Sequence, residues 1–218
     1  MKNIILIAPP GAGKGTAAKM LVEKLSMVHI SVGDLLRKEV NSGSELGKSL
    51  SIKMQTGKLV EDELIFEIMK KRFNEPDIKN GIILDGFPRN TNQAIELDKM
   101  DTKIDAVIYL NVSKEVLENR IVGRIVCPKC GIAYNINSKD LMPKVENTCD
   151  KCGSTLEKRK DDTKEIFDTR YDTYMEETYP VLEYYKEKGI LYDIDSINKD
   201  ETYNKILEIL ESTGPKAY

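Results

Sequence analysis

Ile4-Ile5-Leu6-Ile7-Ala8-Pro9-Pro10-Gly11-Ala12-Gly13-Lys14-Gly15-Thr16 decides how this chain reads: an unbroken apolar run empties into a glycine-rich turn that ends in a lysine. A short apolar run bounded by turn residues is a buried strand, and the spacing after Gly15 predicts a helix to Lys24. Strand, glycine turn and helix in that order form a phosphate cradle. Glycines let backbone N–H groups converge on an anion, the helix adds the positive end of its dipole, and Lys14 supplies a mobile charge. A nucleoside triphosphate is the expected ligand. The strict pattern G-x-x-x-x-G-K-[ST] is not fully met, because Ala8 takes the first glycine's place and Gly15 separates Lys14 from Thr16. The bland alternative is a tight turn carrying an ordinary surface lysine.

Outward from this run, strand and helix patterns alternate. Strands are expected at 28–30, 81–85, 106–111 and 190–194, and helices at 61–73, 91–100, 113–121, 163–174 and 203–210. The alternation predicts an α/β fold with a parallel five-stranded sheet, flanked by helices and joined by right-handed crossovers. Two segments break it. Residues 31–60 read as helical and polar, punctuated by Gly33, Gly43, Gly47 and Gly57, with little apolar surface for a central core. Residues 123–160 hold all four cysteines and short β-like pieces such as 131–136. The expected division is a core of 1–30, 61–122 and 161–218, with 31–60 and 123–160 as inserted segments able to move against it.

Those cysteines form two pairs, Cys127-Pro-Lys-Cys130-Gly131 and Cys149-Asp-Lys-Cys152-Gly153, with eighteen residues between the pairs. C-x2-C-x18-C-x2-C suits a tetrahedral four-thiolate metal site, zinc first and iron as the chemical alternative. Four thiolates leave no open position, so such an ion is structural. Disulfides fit poorly with a reducing compartment, and a redox pair needs only one C-x2-C. A cytoplasmic location is expected, because the apolar stretch near the N-terminus is too short for a secretory signal or a membrane span.

With 218 residues, the chain has length for one large domain carrying insertions. Its net charge of −3 disfavours a general binder of nucleic acid or anionic membrane. Any basic site must therefore be focused, and the arginines supply one. Asp85-Gly86-Phe87-Pro88-Arg89 follows a strand at the sheet's ligand edge, where a carboxylate can orient water on magnesium and a guanidinium can hold phosphate bidentately. Arg120 and Arg124 stand four apart, as if on one helix face, and Arg159, Asp161, Asp162 and Arg170 lie beyond the cysteine segment. Individually each arginine reads as solvated surface; as a group they read as phosphate binding. His29, the only histidine, reads as filler at a strand end rather than a general base, and Tyr171, Tyr174, Tyr179, Tyr184 and Tyr185 as packing surface.

In combination these motifs resemble the adenylate kinase family, in its bacterial long-lid form with a zinc-holding lid. The likeness runs through Pro10–Thr16, Ile30–Arg37, 57–60, Asp85–Arg89 with Gln93, Arg120–Arg124, and Arg159–Asp162 with Arg170, in order along nearly the whole chain. It implies reversible phosphoryl transfer from Mg-ATP to AMP giving two ADP, in a P-loop nucleoside monophosphate kinase fold. Carried over, Gly11, Ala12, Gly13, Lys14, Gly15 and Thr16 would hold ATP phosphates, and Arg120 and Arg124 would clamp the donor. Ala133, Tyr134 and the stretch 196–198 with Asn198 would flank its base. Arg37, Arg89, Arg159 and Arg170 would hold the AMP phosphate and the group in transfer. Val32, Lys58, Leu59, Val60, Gly86, Phe87, Pro88 and Gln93 would line the AMP site, with Gln93 reading adenine. Asp85 would organise Mg2+ through water, Asp161 and Asp162 would help close the lid, and Cys127, Cys130, Cys149 and Cys152 would hold Zn2+. The implied partners are small nucleotides, with no nucleic acid or membrane, and the implied state is a monomer.

The sequence departs from that family in three places. Ala8-Pro9-Pro10-Gly11 stands where Gly-Ala-Pro-Gly is expected, so an alanine at positive φ would cost about 1–2 kcal/mol and Pro9 removes one N–H. Val32 replaces a threonine near the AMP base and loses its hydroxyl. The expectation is slower or weaker function, with base selectivity most exposed to change. A kinase for another nucleoside monophosphate and a zinc-ribbon nucleic-acid binder are the competing readings; the near balance of charge in the cysteine segment speaks against the latter.

Overall fold

The structure, a computed structural model, describes residues 2–56, 59–100, 102–195 and 198–213. The opening apolar run forms β1 (Ile4–Ile7), and the glycine turn leads into α1 (Lys14–Leu25). Then come β2 (Val28–Ser31), α2 (Val32–Asn41), α3 (Glu45–Thr56), α4 (Asp62–Phe73), β3 (Ile82–Asp85), α5 (Thr91–Lys99), β4 (Ala106–Asn111) and α6 (Lys114–Val122). The cysteine segment contributes β5 (Arg124–Val126) and β6 (Ala133–Asn135). The chain finishes with α7 (Lys164–Thr173), a wide π turn at Tyr174–Thr178, α8 (Val181–Glu187), β7 (Leu191–Asp195) and α9 (Lys199–Ser212).

Five strands pair in the order β2-β3-β1-β4-β7, every pair parallel. Strands covered on both faces can be apolar throughout, and alternate residues then enter opposite cores. Ile5, Ile7, Ile82, Leu84 and Val107 face one cluster, with Ala94, Leu97, Val181 and Tyr185 from α5 and α8. Ile4, Leu6, Ile83, Ala106 and Ile108 face the other, with Ala17, Leu21, Leu117, Ile121, Phe167 and Ile206 from α1, α6, α7 and α9. The expected fold class is met, and the expected strands and helices are found with small shifts at their ends. Helix α8 was not anticipated: Pro180 and Gly189 bound a stretch only 7 residues long.

Three local expectations need correction. Residues 31–60 do reach the core, since Val32, Leu36, Leu50 and Val60 join the first cluster; four well-spaced apolar side chains suffice where polar residues dominate the count. Among described residues, only Ser26 and Asn147 are non-glycines at positive φ, so Ala8 avoids the strain expected of it. Gly11 and Gly13, at φ 85 and 95, make the turn instead. Arg120 and Arg124 do not share a helix face, because α6 ends at Val122 and Arg124 opens β5.

Candidate active site

Parallel strands deliver their following loops to one edge, and the glycine loop after β1 lies there beside the loop after β3. Gly13 caps α1 without a side chain, leaving first-turn N–H groups for an anion. Lys14 turns back to donate to the Ala8 carbonyl at 2.9 Å. Burial lowers its pKa to about 8; Asp85 opposes that fall, while Arg89, Arg170 and Arg124 reinforce it.

These neighbours identify the residues brought together. Arg89 donates its Nε to the Gly86 carbonyl at 3.0 Å, and its own carbonyl accepts from Thr178 Oγ1 of the π turn at 2.7 Å. Asp85 ends β3, and its Oδ2 meets His29 Nε2 at 3.3 Å. Burial would raise that carboxyl, but His29, Lys14 and Arg89 together hold it below its ordinary value. His29 is thus more than strand-end filler. Phe87 is core, edge-on to Phe66, and the Phe87–Pro88 peptide is cis.

The remaining arginines arrive from other elements. Arg170 on α7 pairs with Asp161 at 3.0 Å, and burial lowers its pKa to about 10. Arg124 donates Nε to Asp162 Oδ2 at 2.7 Å and a second hydrogen bond through Nη2; Asp162 is fully buried. Arg159 is likewise lowered to about 10, by burial first and then by Arg37 and Arg124. Arg37 pairs with Asp34 one helical turn before it. Arg120 is half-buried on α6, and its carbonyl accepts from Asn135 of β6 at 2.9 Å. Cations that depress one another's proton affinity at a sheet edge form a site suited to an anion of high charge.

Val32, Leu36, Leu59, Val60, Ile65, Gly86, Arg89 and Gln93 line a small cavity beside this cluster. Lys58 and Ser196 lie outside the described residues. Asn198 spends its side-chain oxygen capping α9, accepting from the Glu201 N–H at 2.9 Å. Ala133 is exposed on β6, while Tyr134 donates its hydroxyl to Cys149 Sγ at 3.6 Å and accepts from the Asp150 N–H at 2.8 Å.

The four cysteine sulfurs lie within 4.8 Å of one another, with 3.5 Å between Cys127 and Cys152 and between Cys130 and Cys149. Sulfurs in a tetrahedron of 2.3 Å zinc–sulfur bonds sit about 3.8 Å apart, so the set fits such an ion and is too wide for disulfides. Each knuckle closes alike, by Gly131 N–H to Cys127 carbonyl at 2.8 Å and Gly153 N–H to Cys149 carbonyl at 2.9 Å. The segment folds back on α1, where Lys19 donates to the Gly131 carbonyl and Lys151 pairs with Glu23 at 3.4 Å.

Sequence reasoning passed over Asp62, Asp34 and the His29–Asp85 contact. Asp34 had a detectable signal in its three-residue spacing to Arg37; the other two partners meet only through the fold.

A family model described as adenylate kinase matches residues 6–190. The chain is 46% identical over 213 residues to an adenylate kinase of Clostridium tetani, covering 95% of this chain and 98% of that one. It is 45% identical to one from Archaeoglobus fulgidus, over 96% and 98% of the two chains, and 44% identical to one from Thermosipho africanus, over 95% and 99%.

Proposed function

The chain belongs to the adenylate kinase family, and from that premise we propose how its sheet-edge site transfers a phosphoryl group reversibly from Mg-ATP to AMP, giving two ADP. The observation that carries the reading is the convergence of Arg89, Arg124, Arg170 and Asp85 around Lys14 at the mouth of the glycine loop. Phosphoryl transfer spreads charge over the moving group and asks the protein chiefly for position and positive potential.

In this reading the Gly11–Thr16 backbone and Lys14 hold the donor phosphates. Arg120 and Arg124 clamp the donor from the edge of the cysteine segment, with Asp162 holding the Arg124 guanidinium through two hydrogen bonds. Arg37 and Arg159 face the acceptor phosphate, and Arg89 and Arg170 the group in transfer. An acceptor phosphate oxygen bonds to the terminal phosphorus as the bond to the bridging oxygen breaks, so one ADP leaves as the other forms. Mg2+ bound with ATP supplies further charge neutralisation. Asp85, ionised and largely buried beside Lys14, is the group suited to hold its water shell.

Residues 31–60 serve as the monophosphate-binding segment and 123–160 as a lid stapled by Zn2+ on the four cysteines. Closure of both excludes water and steers transfer to AMP instead of hydrolysis. A cytoplasmic monomer acting on nucleotides, without nucleic acid or membrane, completes the reading. Among the described residues no helix is long and apolar enough to cross a membrane. The test is product formation from Mg-ATP with AMP, GMP, CMP and UMP supplied separately: ADP from AMP is expected. Preference for another acceptor would assign that substrate and implicate Val32.

A further inference from the structure

Gln93 is tied at both ends of its amide. Its Oε1 accepts from the Arg89 backbone N–H at 2.7 Å, and its Nε2 donates to Asp62 Oδ1 at 2.7 Å. The residue is only 2% exposed. Asp62 is held in turn by the side-chain amides of Asn92 at 2.8 Å and Asn90 at 3.0 Å, and Asn90 Oδ1 accepts from the Gln93 backbone N–H at 2.8 Å. Burial would raise the Asp62 carboxyl, but the amide hydrogen bonds of Asn92, Gln93 and Asn90 outweigh it, and the group stays ionised.

A carboxylate accepts and never donates; a backbone N–H donates and never accepts. Only one orientation of the Gln93 amide satisfies both neighbours. A flip would set oxygen against the carboxylate and NH2 against an N–H, losing both bonds in a nearly dry site. In the fixed orientation one Oε1 lone pair and one Nε2 hydrogen remain, on a side chain that lines the cavity of Val32, Leu36, Val60 and Ile65.

We infer that Asp62 is a specificity-determining positioning residue: by locking the Gln93 amide, it makes the acceptor pocket select a 6-aminopurine monophosphate over a 6-oxopurine monophosphate. The inference rests on the adenylate kinase reading of this pocket. A 6-aminopurine presents a donor at N6 beside an acceptor at N1, whereas a 6-oxopurine presents the reverse. Apolar walls and the arginines at the phosphate end fix the pose of the base, so the order of donor and acceptor decides the fit. A glutamine free to flip serves both bases; a locked one serves one.

The experiment is kcat/KM for AMP and for IMP, with saturating Mg-ATP, in wild type, Asp62→Asn and Asp62→Ser. Asparagine has the shape of aspartate but can turn either its oxygen or its NH2 toward Gln93, which removes one of the two contacts that set the amide and leaves only the Arg89 N–H against a flip. Serine keeps a small polar side chain at the start of α4 and is the second variant should the first not fold. The AMP-to-IMP ratio should fall by about tenfold or more in either variant, mainly through KM, with the KM for ATP unchanged. A ratio within about twofold of wild type in a variant that binds ATP normally would overturn the inference. So would equal losses for both acceptors, the mark of a merely structural role. Wild type inactive toward AMP would instead remove the reading on which the inference rests.

Discussion

Lys14 carries a charge that its surroundings oppose. Burial, with Arg89, Arg170 and Arg124 adding to it and Asp85 opposing, leaves its pKa about 8 in the nucleotide-free site. Phosphate selects the charged form, so donor affinity is full well below that value and falls as pH rises through it. The KM for Mg-ATP should therefore be flat at neutral pH and climb above about pH 8; a flat KM from roughly pH 7 to 9.5 would show that Lys14 does not carry the binding. Asp162 makes the opposite case, a fully buried carboxylate matched by two hydrogen bonds from Arg124. Asp162→Ala leaves that guanidinium without its partner and should lower unfolding free energy by about 3–5 kcal/mol, measured by urea denaturation. Most of these single residues were legible in the sequence because they sit in motifs of fixed spacing. Asp62, His29 and Thr178 were not, since each meets its partner across at least 28 residues of chain and only the packed sheet sets the distance.

Elements differ in how plainly the chain announces them. The strands read as apolar runs between turn residues, whereas the four-residue spacing of Arg120 and Arg124 suggests a shared helix that Gly123 ends just before Arg124. Polar count misleads for α2 and α3, where Val32, Leu36 and Leu50 are buried in the core and Leu35, Val40 and Met54 pack against it. Between β1 and α1, the two positive-φ glycines face different surroundings. A Cβ on Gly11 would stand 2.8 Å from Ile121 Cγ1 and 3.1 Å from the Leu117 carbonyl of α6, while one on Gly13 would meet nothing within 4 Å. Gly13→Ala should then cost about 1–2 kcal/mol for its backbone alone, and Gly11→Ala about 1–3 kcal/mol more for overpacking, both read from denaturant midpoints. In the cysteine segment the apolar cluster holds little beyond Ile125, Leu156 and the cysteines themselves, and the proposed metal would supply what that core lacks. Chelation with verified metal loss should produce an early melting transition; an unchanged melting curve would show that the segment folds without the ion.

At the scale of the molecule, the parallel sheet fixes one edge and the two segments bring charge to it from either side. Arg37 lies within 31–60, Arg124 and Arg159 within 123–160, and Lys14, Arg89 and Arg170 elsewhere in the chain, so on the proposed division the cluster draws on all three parts. In the proposed reading, Asp34, Asp161 and Asp162 offset part of the repulsion among these cations and bound phosphates would offset the rest, which would couple nucleotide occupancy to closure. The central claim is that the assembled cluster moves a phosphoryl group between two nucleotides without losing it to water. Phosphorus NMR of purified protein supplied with Mg2+ and ADP alone tests this directly. The account predicts that ATP and AMP appear in equal amounts while inorganic phosphate stays negligible; phosphate release, or ADP left unchanged by folded protein, would contradict it.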